Sequence, residues 1–125
     1  MSVILKDWQD RSLQVNAWNW GVLHFAVECA QPPVFDDEQF MATLRFGGAT
    51  LSQAQVDRLF VYLVKIVLPK LEPGQRMRPD FSVTDAPDDG KMYYDDQTKN
   101  YSLHYEVLIE VLRFLQQAQP PVSVL

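Results

Sequence analysis

"LSQAQVDRLFVYLVKIVLPKL", Leu51 to Leu71, is the stretch whose reading decides the fold. Val56, Leu59, Phe60, Leu63, Val64, Val67 and Leu68 recur at intervals of three and four, which gathers them on one face of a helix. A buried strand would be far shorter. Ser52 is a natural N-cap, and Gln55 three residues on completes a capping box. Pro69 interrupts the hydrogen-bond ladder, and Pro73-Gly74 marks the exit turn.

Working outward, a second helix is expected from Ser102, its cap, to about Ala118, with Tyr105, Leu108, Val111, Leu112 and Leu115 on the inner side. Val107 and Phe114 widen that stripe, and Pro120-Pro121 ends it. Towards the N-terminus, Trp20, Leu23, His24 and Val27 share a side of a helix from about Trp18 to Ala30, capped by Asn16 or Asn19. Acids at its start and Gly47-Gly48 at its end suggest another from about Asp37 to Phe46. "SVIL" at Ser2 to Leu5 and "VSVL" at Val122 to Leu125 could pair as short terminal strands, and "MRPDFSV" is at best an edge strand because of its proline. The expectation is a mainly α protein: about four helices in one compact domain, 1–125. A long acidic loop, able to hide a short hairpin, would join the last two helices.

Composition narrows the function. The chain has 125 residues, 47% hydrophobic, enough for a real core. No apolar run has the length of a membrane span, and the N-terminus lacks the pattern of a secretory signal. One cysteine, Cys29, sits in an apolar pattern and is expected to be buried and reduced, which suits the cytoplasm. Net charge is −5, and six aspartates against Lys91 between Asp80 and Asp96 carry the same −5. The rest is neutral overall. Such a distribution repels nucleic acid and attracts a basic surface.

The centre of that charge is "DAPDDGKMYYDD", Asp85 to Asp96. As a calcium loop it has Asp89, Gly90 and Asp96 in register, but Pro87 stands where a ligand is needed. Pro87-Asp88-Asp89-Gly90 also reads simply as a turn. Paired carboxylates for glycoside hydrolysis would need an apolar pocket to raise one pKa, and none flanks them. His24 and Cys29 fall on different sides of their helix, His104 opens the last helix, and no nucleophile elbow or phosphate loop is present. Two histidines and one cysteine do not make a usual zinc set. No catalytic, cofactor or metal residues are therefore assigned. One of Trp18 and Trp20 anchors the core, and the other is free to join a binding patch.

"NAWNW" (Asn16 to Trp20), "VTDAPDDG" (Val83 to Gly90) and "KNYS" (Lys99 to Ser102) together resemble a group of small uncharacterised bacterial proteins. The resemblance covers most of the chain and brings no catalytic residues with it. In size and charge the chain is also similar to immunity proteins of bacterial toxin systems. The expected function is non-enzymatic binding of a basic protein partner, such as a toxin. Asp85, Asp88, Asp89, Asp95 and Asp96 would steer, and Tyr93, Tyr94 and Trp18 would anchor. Two alternatives remain: a small metal-dependent hydrolase using the Asp85–Asp96 carboxylates, and a structural homodimer.

Overall fold

The computed structural model describes residues 2–36, 48–87 and 101–125. It corrects the mainly helical expectation. Among the described residues there are three α-helices and seven strands, and the strands form two antiparallel sheets. The helix expected over Asp37–Phe46 lies outside the described residues.

The first sheet gathers both ends of the chain. Strand β1 (Ser2–Lys6) pairs with β2 (Ser12–Asn16) and, on its other edge, with β7 (Val122–Val124). Strand β3 (Ala49–Leu51) closes the order β2-β1-β7-β3. The terminal segments SVIL and VSVL thus do pair, with Leu5 opposite Val124. Alternation sets the faces: Val3, Leu5 and Val15 are buried, while Ile4, Lys6, Ser12 and Gln14 point outward.

Asp7 fastens this hairpin. Its carboxylate accepts from the amides of Gln9 (2.9 Å) and Arg11 (2.8 Å) in the turn, and from Gln119 (3.0 Å) far along the chain. The Gln119 amide first, and those of Arg11 and Gln9 with it, hold the Asp7 pKa below its ordinary value against the opposing effect of burial.

Helix α1 (Ala17–Glu28) starts at Asn16, whose side chain accepts from the Asn19 amide at 2.8 Å. It is buried nearly all round: Trp20, Val22, Leu23, His24, Ala26 and Val27 are all covered. Trp20 is the tryptophan that enters the core, at 1% exposure. His24 stacks on Phe35, with ring centroids 5.8 Å apart. Cys29 departs from expectation. As the C-cap of α1 it stands exposed, its Sγ 3.9 Å from the Phe25 carbonyl.

Helix α2 (Gln53–Tyr62) has the expected capping box between Ser52 and Gln55. Its inner stripe continues through a π-helical turn (Leu63–Val67) and a 3-10 turn (Leu68–Lys70), burying Val56, Leu59, Leu63 and Val67. Pro69 has no N–H for a carbonyl four residues back, so the winding changes where the α-ladder would fail. The Tyr62 hydroxyl ties this element to α1 by donating to the Ala26 carbonyl at 2.7 Å.

Helix α3 (Tyr105–Gln117) buries Leu108, Val111, Leu112 and Leu115, as its spacing predicts. Ser102 is not its cap. His104 occupies that position without a capping side-chain bond, and Ser102 is fully buried ahead of it.

The second sheet has the order β5-β4-β6, from β4 (Arg76–Met77), β5 (Val83–Thr84) and β6 (Leu103–His104). It corrects the reading of MRPDFSV as at best an edge strand. Arg76 and Met77 form the central strand, and Pro79 falls in the turn, where no ladder bond is lost. That turn is held by Arg78 N to Ser82 O (2.8 Å), and Asp80 accepts from both the amide and hydroxyl of Ser82.

Candidate functional site

The β4–β5 hairpin precedes the acidic stretch in the chain. Register places Arg76 between Thr84 and His104, and Met77 between Val83 and Leu103. Met77 and Leu103 are in the core, so the Arg76 row faces the other way. Arg76 is nevertheless only 6% exposed. Its Nε donates to the Ala86 carbonyl at 2.9 Å, and its buried Nη1 meets no acceptor among the described residues.

Helix α1 is sewn to this sheet by Asn19. Its Oδ1 accepts from the His104 amide at 2.8 Å, and its Nδ2 donates to Asn16 Oδ1 at 2.9 Å. Ser102 Oγ lies 3.4 Å from His104 Nε2. The Glu106 carboxylate, in the first turn of α3, bonds its own amide and accepts from that of Gly74 at 2.9 Å. Those two bonds lower its pKa.

Of the residues expected at a binding surface, Asp85 and Trp18 are described. Asp88, Asp89, Tyr93, Tyr94, Asp95 and Asp96 lie outside the described residues. Asp85 is exposed and makes no ion pair among the described residues. Trp18 is half-buried and stacks on Tyr101, with centroids 6.0 Å apart and planes at 26°. Asp85 continues past the Thr84–Arg76–His104 row, and Tyr101 past the Val83–Met77–Leu103 row. Asp85 and Tyr101 therefore lie off opposite ends of the small sheet. Among the described residues no group of three or more His, Cys, Asp or Glu side chains is placed to hold a metal ion.

A second region was not singled out from the sequence. Along the outer side of α2 runs a groove of about 350 Å³, with Pro32 and Val34 on one wall and Val61, Tyr62 and Ile66 on the other. An adjoining hollow of about 200 Å³ shares Tyr62 and Ile66 and continues to Cys29, Lys70 and Phe81. Arg58 and Lys65 also line the first, and both are exposed. Tyr62 lines both, and burial, followed by the electrostatic effect of nearby Cys29, raises its pKa. The signal was present in the letters: Val61 and Ile66 are apolar residues that fall off the inner stripe of their helix, between Arg58, Lys65 and Lys70.

Comparison of the chain with protein-family models, with curated proteins and with solved structures finds no match. Among the described residues, no helix is long and apolar enough to cross a membrane.

Proposed function

We propose that the chain is a non-enzymatic binding module that engages a basic protein partner through its acidic-aromatic stretch. Asp85, Asp88, Asp89, Asp95 and Asp96 steer the encounter, and Tyr93, Tyr94 and Trp18 provide anchoring. The observation that carries this reading is at Asp85. The strand cation beside it, Arg76, gives its Nε to the Ala86 carbonyl, and Asp85 stays exposed and un-neutralised among the described residues. With the −5 charge concentrated between Asp80 and Asp96, the stretch presents a field that a basic surface meets favourably. A cytoplasmic immunity protein, guarding against a basic toxin, is the particular case that fits this charge and size.

The test begins with affinity capture from bacterial cells, followed by association kinetics against the purified partner. A basic partner is expected. Replacing the five aspartates by asparagine should slow its association about tenfold at low salt and flatten the salt dependence. An unchanged association rate removes the proposal. Micromolar calcium or manganese binding that disappears in Asp89→Asn would instead transfer the stretch to metal-dependent chemistry.

A further inference from the structure

We infer that the groove along α2 docks an acidic amphipathic helix supplied by a protein partner. Its exposed cations give this groove the opposite charge to the acidic stretch.

Its apolar character is the first ground. Val61 and Ile66 are 45% and 47% exposed, and Phe81 adds a further 36% exposed ring at the far end. Val61 lines the first hollow, Phe81 the adjoining one, and Ile66 both. Large apolar side chains left uncovered along adjoining hollows, rather than scattered singly, mark a binding surface.

The cations choose the occupant. Arg58, Lys65 and Lys70 follow the groove and are exposed, and none is ion-paired among the described residues. Lys70 instead stands over Phe81, its Nζ 6.0 Å from the ring centroid. Asp57, also in the lining, already accepts from Gln53 Nε2 at 3.1 Å. At a rise of about 1.5 Å per residue, the three cations span roughly 18 Å. An amphiphile with one anionic head would meet one of them and leave the others unanswered. A symmetric contact with a second copy would set the same cations against themselves. A helix laid along the groove answers all three. Its apolar stripe covers Val61, Tyr62 and Ile66, and carboxylates seven residues apart, about 10 Å along its axis, match the interval from Arg58 to Lys65. Ile66, in the π-helical turn after Tyr62, lines both hollows.

The probe is a fluorescein-labelled synthetic helical peptide of about 20 residues, with a leucine stripe flanked by glutamates at heptad spacing. Anisotropy measures its affinity, and alkylation of Cys29, the chain's single cysteine and part of the groove wall, reports where it sits. The peptide should bind, slow Cys29 alkylation severalfold, and weaken as salt rises. A triple variant, Arg58→Glu with Lys65→Glu and Lys70→Glu, should lose at least about tenfold in affinity. So should the double variant Val61→Ser with Ile66→Ser. All five side chains are exposed, so folding is expected to survive, and circular dichroism of each variant checks it. Four results would each overturn the inference: no binding, equal binding of a peptide with the same composition but a scrambled stripe, protection of Cys29 by dodecanoate but not by the peptide, or a dimer in sedimentation that the Ser variants dissociate.

Discussion

Asp7 and Arg76 are both charged and both buried, at 5% and 6% exposure, yet the fold treats them in opposite ways. Asp7 sits in the four-stranded sheet with three amide donors on its carboxylate, one of them from the far end of the chain. Arg76 sits in the three-stranded sheet with one carbonyl acceptor on Nε and a buried Nη1 that meets none among the described residues. The first charge is a fastening: it fixes a turn and ties it to residue 119. The second is a buried charge that meets a single acceptor among the described residues, a few positions before the acidic stretch begins. Three amide donors on one carboxylate make Asp7 part of the scaffold, whereas Arg76 has a single acceptor among the described residues.

The sharpest way to break this contrast is Asp7→Ala. It strands the amides of Gln9, Arg11 and Gln119 and should lower Tm by roughly 10 °C in thermal unfolding followed by circular dichroism. The same group sets an acid dependence. Its folded pKa is depressed, so its contribution is present above the ordinary aspartate value and is lost as pH falls through the folded value. Glu106 and Asp80 have the same sign. Unfolding curves at falling pH should therefore steepen in their loss of stability below about pH 4, and Asp7→Asn should flatten that limb. Ser52→Ala gives the yardstick. Removing the cap of α2 should cost about 1 kcal/mol in denaturant unfolding. Smallest of all should be Arg76→Met, within about 1 kcal/mol of the parent, because it removes a buried charge that has little compensation among the described residues. A loss as large as that of Asp7→Ala would show Arg76 to be a fastening too, and the contrast would fall.

The parts of this fold that could be read from the sequence are those with length and contrast. Residues 51–71 and 105–117 repeat their apolar positions over several turns with a wet face opposite, so their inner stripes and the Ser52 cap of the first could be assigned, while the cap of the second was misplaced at Ser102. Helix α1 was placed by the shared side of Trp20, Leu23, His24 and Val27 and by an asparagine cap, although its burial on nearly every side weakens the contrast on which periodicity depends. Strands of two or three residues, such as β3, β4, β5 and β6, hold at most one alternation, too little to establish a period. Strands β3 and β6 pair with partners distant in sequence, which is why a mixed architecture looked mainly helical. "SLQVN" did carry a full alternation, and its two inward residues, Leu13 and Val15, were the missed sign of β2. Exposure at Asp85 was legible from its surroundings of Pro and Asp. Burial at Arg76 was not, since "GQRMRPD" reads as a solvated turn until β6 is laid alongside it. Cys29 misled for the opposite reason: apolar neighbours suggested cover, but the end of α1 turns the thiol outward.

Strands β1 and β7 lie side by side and run in opposite directions, with Ile4 and Leu125 exchanging backbone bonds at 3.1 and 2.9 Å. A tether gripping Ser2 and Leu125 in an optical trap would load those rungs one after another instead of all together. Such a zipper parts at low force, so the sheet that joins the two ends is also where stretching would open the molecule first.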